Sequence, residues 1–356
     1  TPWTLPANRA VCVKPYIDYA AVNVDGATHI LAADLVERVF ADCDRPAPAV
    51  AGTCPGAALE GILLKHPFDD NRTVPVILGD HVAIDTGTGC VHTAPGHGQE
   101  DYVVGRTYNL DVFSPVDEKG RFTRDVPAYE GLNVFDANPK IVGDLDERGL
   151  LLHAGKTTHS YPHCWRSHTP VIFRATEQWF LGVDRHEMRE RALSAVDSVA
   201  WRPATGLQRI TGMLSQRPDW CLSRQRLWGV PIPVIYNDDT GEEIITPESI
   251  EHIAALVEQE GSDVWFARDA ASLLPPHLVE TLGNASLRKE HDILDVWFDS
   301  GVSHFAVIGR RPELHFPADL YLEGSDQHRG WFQVSLLTAI GLDDTPPYST
   351  VVTHGW

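Results

Sequence analysis

The sequence predicts an α/β protein in two parts: a mainly β region over residues 1–157 and an open parallel sheet with helices over residues 158–356. Three observations carry this. At 356 residues the chain is longer than one hydrophobic core usually supports. Its first part is dense in short apolar runs broken by Gly, Pro and Asp. Its second part alternates short apolar runs with helical periodicity, the pattern of strands joined by crossover helices.

In the first part Val74, Val76 and Leu78 alternate, and Val82 and Ile84 follow across Gly79-Asp80, which predicts a hairpin. Residues 41–58, rich in Ala, Pro and Gly, predict a surface connection. Residues 85–98 are rich in glycine and small side chains and predict a loop–strand–loop whose backbone can be approached closely. Gln99-Glu100-Asp101 then opens a helix with its acids in the first turn, where the dipole favours them.

In the second part helices are expected over 186–199 and 250–260 and after Asp326. Strands are expected over 230–236, 293–298, 320–322 and 351–353. Three of these strands run into polar ends: Asp299-Ser300-Gly301, Glu323-Gly324 and His354-Gly355. Open parallel sheets bind ligands at the carboxyl ends of their strands, so these ends predict a crevice. Residues 321–332, where a strand meets a carboxylate, a glycine and then a helix, are its most informative wall.

Hydrophobic residues make up 43% and charged residues 22%, ordinary for a soluble globular chain. No apolar run approaches bilayer length, and residues 1–6 lack the basic and apolar regions of a signal peptide, so no membrane partner is expected. Six cysteines without a CxxC pair suggest reduced thiols and a cytoplasmic protein. The net charge of −20 argues against broad attraction to nucleic acid. A local basic groove remains open among Arg166, Arg174, Arg217, Arg224 and Arg226. The chain begins without Met and stops in dense sequence, so an internal fragment is expected.

Several long motifs, rich in tryptophan, now carry a resemblance. They are Thr1-Pro2-Trp3-Thr4-Leu5-Pro6-Ala7-Asn8, residues 87–101, Ser160-Tyr161-Pro162-His163-Cys164-Trp165-Arg166 and Arg217-Pro218-Asp219-Trp220-Cys221-Leu222-Ser223-Arg224-Gln225-Arg226. Leu294-Asp295-Val296-Trp297-Phe298-Asp299-Ser300-Gly301 and residues 323–332 complete the set. In this order they resemble the isoleucyl-tRNA synthetases over nearly the whole chain; the valyl and leucyl siblings share the architecture but resemble 323–331 less closely. The resemblance implies a Rossmann-type parallel-sheet catalytic domain, present in part, and an inserted, mainly β, barrel-like editing domain truncated at its N-terminus. The family's His-x-Gly-His and Lys-Met-Ser-Lys-Ser motifs are absent from this sequence. As given, the chain is therefore expected not to aminoacylate.

What the resemblance implies for function is an ATP-dependent ligase joining isoleucine to tRNA-Ile, with hydrolytic editing of mischarged Val-tRNA-Ile. One methylene separates the two amino acids, worth only about 1–3 kcal/mol in an apolar pocket, so a second sieve is required. Asp101 matches the aspartate that holds the substrate ammonium, and His92 the residue that rejects the larger side chain; these two are the implied catalytic residues. Thr1, Trp3 and Thr4 resemble the lining of the editing pocket. Read without the resemblance, Asp101 is a helix-start acid, His92 a strand histidine, and Thr1, Trp3 and Thr4 a strand start. No activated nucleophile stands beside a base, so direct attack by water is expected.

For the adenylate site the resemblance implies Glu323 on the ammonium and Asp326 and Gln327 near the ribose and carbonyl. Trp297 and Trp331 would wall the isoleucine side chain, Gly324 and Gly355 would lie under the adenylate, and His354 would sit near the adenine. ATP with Mg²⁺ is the expected co-substrate, its phosphate-handling parts lying outside this chain, and a monomer is expected. His159, His163, Cys164 and His168 make a dense set of potential zinc ligands. Some family members carry a second cysteine where Ser167 stands, and no partner CxxC exists, so a structural turn is expected there and no metal ligand is assigned. The rival readings are a stand-alone trans-editing deacylase, a valyl-type sibling and a noncatalytic tRNA-binding relic.

Overall fold

The computed structural model describes residues 1–156, 158–226 and 228–355. It divides into two units, Thr1–Thr176 and Glu177–Trp356.

In the first unit the strands are β1 (Ala10–Val13), β2 (Asp18–Val24), β3 (Ala27–Ala32), β4 (Val50–Pro55), β5 (Leu63–Lys65), β6 (Thr73–Leu78) and β7 (Cys90–Thr93). Its α-helices are α1 (Val36–Asp42), α2 (Gln99–Thr107) and α3 (Val134–Glu147). One sheet has the order β5-β6-β1-β7, with β1 parallel to β6 and antiparallel to β7; the other has the order β3-β2-β4 and is antiparallel. Two open sheets result. The barrel-like closure implied by the resemblance is not found among the described residues, because the outer strands of the two sheets are not paired with one another.

Three local expectations are corrected. The Gly79-Asp80 hairpin does not form: β6 is taken up beside β1, and Gly79 N–H donates to Val13 O. Beyond it Lys14 Nζ donates to the carbonyls of Asp80 and Val82, while Val82 packs with Ala10, Cys12 and Ile77. The tight hairpin of this unit is instead β2–β3, turning at Asp25-Gly26 with φ of 51° and 85°, the positive pair such turns demand. Residues 41–58 hold the end of α1 and the whole of β4 as well as connection.

The strand start read at Thr1, Trp3 and Thr4 is a 3-10 turn over Pro2–Ala7. Pro2 and Pro6 cannot donate to a ladder and favour a turn. Trp3 is buried with Tyr129, Val134, Ala137 and Ile141, and its N–H donates to Asn138 Oδ1 of α3 at 2.9 Å. That anchor fixes the chain start against α3, itself N-capped by Asn133.

The second unit contains β8 (Phe180–Leu181), α4 (Met188–Ala195), β9 (Ala200–Arg202), α5 (Thr205–Ser215), β10 (Trp220–Cys221), β11 (Ser223–Arg224), β12 (Ile235–Asn237) and β13 (Glu243–Ile244). It continues with α6 (Pro247–Glu260), α7 (Val264–Ala267), α8 (Pro276–Leu282), β14 (Leu287–Lys289), β15 (Ile293–Leu294), α9 (Val296–Gly301), α10 (Ser303–Ala306), β16 (Tyr321–Gly324), α11 (Trp331–Asp343) and β17 (Thr350–His354). The expected parallel sheet is present as β16-β17-β9. Trp201, Tyr321 and Val351 of its strands pack with Ala192 of α4, Ile210 and Leu214 of α5, and Phe332, Leu336 and Ile340 of α11. Helix α11 is buried from Phe332 through Ile340, consistent with apolar residues on every face.

Two expected strands change character. Of 230–236 only the end is strand, and β12 sits in an antiparallel sheet of order β13-β12-β14. Of 293–298 only Ile293–Leu294 is strand; Asp295 then accepts the N–H of Trp297 at 3.2 Å and caps α9. Asp299-Ser300-Gly301 is therefore helical and not a strand end. Among the described residues no helix is long and apolar enough to cross a membrane.

Candidate functional site

The first unit brings all five of its expected site residues to one cavity of about 580 Å³, lined by Thr1, Trp3, Thr4, His92 and Asp101 together with His97. Strand pairing makes this possible. β1 and β7 are in register as Val11↔His92, which sets His92 beside the residues preceding β1. The 3-10 turn folds Thr1, Trp3 and Thr4 over it, and α2 delivers Asp101 from its first turn.

The hydrogen bonds fix the tautomer of His92. Asn8 Nδ2 donates to Ala10 O at 2.9 Å, which orients the amide, and the same nitrogen lies 2.6 Å from His92 Nδ1. An amide NH₂ only donates, so Nδ1 accepts and the proton sits on Nε2. Nε2 is 3.0 Å from Thr4 Oγ1, which in turn donates to Thr1 O at 2.9 Å. Desolvation pushes the His92 pKa down to about 4, so the ring is neutral at pH 7. A directional chain thus runs from Asn8 through His92 and Thr4 to Thr1.

His97, in the glycine-rich loop, has the opposite tautomer. Its Nδ1 lies 3.0 Å from Phe173 O, a pure acceptor, so Nδ1 carries the proton. Burial lowers its pKa too, and the edge-on Trp3 ring holds it at a centroid distance of 4.7 Å. Asp101 Oδ2 accepts the N–H of Ala94 at 2.9 Å. Desolvation raises its pKa, partly offset by that bond. Gly98 permits the fold-back, since a Cβ there would lie 2.8 Å from Asp101 Oδ2. Asn8 and His97 were not singled out from sequence. His97 lay within the glycine-rich run that was, and Asn8 ended the first motif of the resemblance without being given a role.

In the second unit Glu323 and His354 stand at adjacent parallel strand ends, with Gly324 paired to His354 and Glu323 Oε2 3.8 Å from His354 Nε2. Glu323 Oε2 also accepts the N–H of Gly324 at 2.9 Å. Asp326 and Gln327 follow in a 3-10 turn, where Gln327 Nε2 donates to Asp326 Oδ2 at 3.1 Å and Gln327 Oε1 accepts the Trp331 N–H at 2.8 Å. Trp331 lies flat on Tyr321 at 3.9 Å, and its Nε1 donates to Ser300 O at 3.0 Å. Trp297 reaches the same turn through Gly330, where a Cβ would stand 3.1 Å from its ring. Of the three polar strand ends expected, two form, Glu323-Gly324 and His354-Gly355, and α9 supplies Trp297 from a helix.

His159 Nδ1 lies 2.9 Å from Ser160 O and His163 Nδ1 2.8 Å from Tyr161 O, so both rings are tied to their own turn. Among the described residues no group of three or more His, Cys, Asp or Glu is placed to hold a metal ion. Arg166 and Arg174 fall in the first unit and Arg217, Arg224 and Arg226 in the second. Arg217 and Arg224 share a cavity wall there.

A family model described as tRNA synthetases class I (I, L, M and V) matches residues 17–356. The isoleucine–tRNA ligase of Kosmotoga olearia is 50% identical over 100% of this chain and 39% of its own length. Those of Halorhodospira halophila and Alkalilimnicola ehrlichii are each 54% identical, over 100% of this chain and 37% of their own length. The chain thus spans about two fifths of the length of the curated relatives it matches. On the family match and these identities, the chain belongs to the class I tRNA synthetases.

Proposed function

We propose that this chain carries two working parts of an isoleucine–tRNA ligase: the editing pocket that clears Val-tRNA-Ile and one wall of the isoleucyl-adenylate site. The observation that carries the proposal is the convergence of Asp101, His92 and Thr4 on one cavity, with Asn8 bonded to His92. An ester hydrolase for a mischarged amino acid needs an anion for the ammonium, a fixed wall that rejects the larger side chain, and a place for water. Asp101 supplies the anion. His92, held as one neutral tautomer at both nitrogens, is a wall that cannot rotate aside. Water attacks the ester carbonyl carbon, the bond to the ribose oxygen breaks, and the proton passes to that oxygen. No covalent enzyme intermediate is required.

In the Rossmann-type part, Glu323 holds the ammonium of the adenylate, Asp326 and Gln327 meet the ribose and carbonyl, and Trp297 and Trp331 flank the side chain. His354 lies by the adenine. Isoleucine, ATP with Mg²⁺ and tRNA-Ile are the substrates of the whole ligase, read as a cytoplasmic monomer. The test is hydrolysis of Val-tRNA-Ile by the full chain and its Asp101→Ala variant, with circular dichroism as a folding control. Loss of deacylation by about 100-fold, near 3 kcal/mol of transition-state stabilisation, is expected. An Asp101→Ala chain that deacylates at the unaltered rate would sink the editing assignment.

A further inference from the structure

Hydrolysis by water needs an acceptor for the proton that water sheds as it attacks, and the groups assigned so far in the first unit's cavity are all committed elsewhere. Both ring nitrogens of His92 are engaged, Nδ1 by the Asn8 amide and Nε2 by Thr4. Asp101 is reserved for the ammonium, and its Oδ2 already accepts the N–H of Ala94. The Thr4 hydroxyl donates to Thr1 O. The Cys90 thiol is held protonated by burial, which pushes its pKa up to about 11. His159 lines the same cavity but is exposed, with Nδ1 turned to the carbonyl of its own neighbour Ser160.

His97 is the group left over. Its Nδ1–H is bonded to Phe173 O at 3.0 Å, so the lone pair of the ring lies on Nε2. Among the described residues Nε2 has no hydrogen-bond partner, yet it is not one of the unpartnered side-chain atoms sealed from solvent. The residue itself is part of the cavity wall, so this lone pair opens on the cavity. The ring is held on several sides. Trp3 stands edge-on to it at 4.7 Å, and Gly96 before it is packed so closely that a Cβ would lie 2.2 Å from Phe113 O. Ala175 N–H donates to Gly96 O at 2.8 Å, which fixes the segment carrying the Phe173 carbonyl. Burial lowers the pKa of His97, so the ring stands neutral and able to accept at pH 7. A ring that merely braced residues 173–175 would need Nδ1 alone, and an asparagine would serve.

We propose that His97 is the general base of the hydrolysis, its Nε2 taking the proton of the attacking water; this rests on the editing reading above. The water oxygen bonds to the ester carbonyl carbon as one of its protons moves to Nε2. The tetrahedral intermediate then collapses, the carbon–oxygen bond to the ribose breaks, and the Nε2 proton passes to the departing ribose oxygen. Valine and the free tRNA end leave, and the ring is neutral again. The test follows single-turnover hydrolysis of Val-tRNA-Ile by the full chain. His97→Asn keeps an N–H where Nδ1 stands, so the bond to Phe173 O survives, and removes Nε2. It is expected to lower the rate at saturation about 100-fold while the half-saturating concentration and the melting temperature hold. Asp101→Ala, which removes the ammonium partner, should raise the half-saturating concentration. His97→Ala leaves room for a free ring, and added imidazole is expected to restore its rate about 10-fold, a rescue that loss of a brace would not allow. The proposal is overturned if His97→Asn hydrolyses within about 3-fold of the unaltered rate while Asp101→Ala is impaired; the editing reading then stands without this base. It is equally overturned if imidazole fails to restore His97→Ala, for the ring would then be a brace. Should His97→Asn and Asp101→Ala both hydrolyse at the unaltered rate, the editing reading itself falls, and this inference with it.

Discussion

Asn8→Ala tests whether the tautomer of His92 is set by the protein or merely compatible with it. The amide of Asn8, 4% exposed, makes two donor bonds, to Ala10 O at 2.9 Å and to His92 Nδ1 at 2.6 Å. Truncation leaves a buried carbonyl and an imidazole nitrogen without their donor. At about 1–3 kcal/mol for each unmet group the stability loss is about 2–6 kcal/mol, reduced because Asn8 Oδ1, itself buried without a partner among the described residues, disappears too. The second consequence is chemical. With no donor facing Nδ1, the proton is free to occupy either nitrogen, and Nε2 no longer holds Thr4 in place. Chemical denaturation measures the first effect, and the ¹⁵N shifts of the His92 ring measure the second. Deacylation should fall about 10-fold, the factor that 1.4 kcal/mol of misplacement gives. An Asn8→Ala chain that loses less than about 0.5 kcal/mol and keeps Nδ1 unprotonated would refute the reasoning.

Two further outcomes follow from single contacts. His66 is 4% exposed, accepts the N–H groups of Phe68 and Asp69 on Nδ1, and is pushed down to about 4 by burial. The unfolded chain therefore binds the extra proton between about pH 6.5 and 4, so stability falls as pH drops through that window and is complete above it, by at most about 3 kcal/mol. His66→Asn, whose Oδ1 can take over the acceptor role, should flatten that slope in thermal melts, and an unchanged slope would rule the group out. Gly330→Ala would place a Cβ 2.5 Å from Gln327 Oε1 and 3.1 Å from the Trp297 ring. Such overpacking costs about 1–3 kcal/mol, and the variant should weaken binding of a nonhydrolysable isoleucyl-adenylate analogue in calorimetry; unaltered stability and affinity would show that the Trp297–Gly330 contact is slack.

How far the sequence could be read depended on whether the determining contact was local. Helix α6 was legible from its periodicity over 250–260, and its true start lies three residues earlier, at Pro247, behind a capping box of Thr246 and Ser249. The strand ends at Glu323 and His354 were legible for the same reason. The parallel pairing that sets them side by side joins residues thirty positions apart, and only the motif pattern suggested it. Asp295 was read as strand because its neighbours are apolar, yet its side chain caps α9 while also accepting from Trp220 Nε1 and Arg224. The hairpin rule was sound but was applied to the wrong dipeptide. Asp25-Gly26 has the order a two-residue turn prefers, whereas Gly79-Asp80 precedes a segment held by Lys14 and the core around Cys12. Asn8 stood at the end of the first motif, but its role was invisible because it exists only once β1 and β7 are in register.

The charge state of the cavity around His92 and Asp101 follows from these same contacts and explains why its residue types differ so much. Burial pushes His92 to about 4, lowers His97, and pushes the Cys90 thiol up to about 11, so at pH 7 these three lining groups are neutral. Asp101 is the one carboxylate among the described lining residues. Its pKa is raised by desolvation, which means the empty cavity holds its charge at a cost. An ammonium arriving beside it removes that cost, while neutral imidazoles spare the ligand from like-charge repulsion. The acid limb of ligand binding is therefore set by Asp101 and lies above the ordinary aspartate range. A histidine-controlled limb would instead appear near pH 6.5, and it would mean that the imidazoles are solvated and the Asn8–His92–Thr4 chain is not formed.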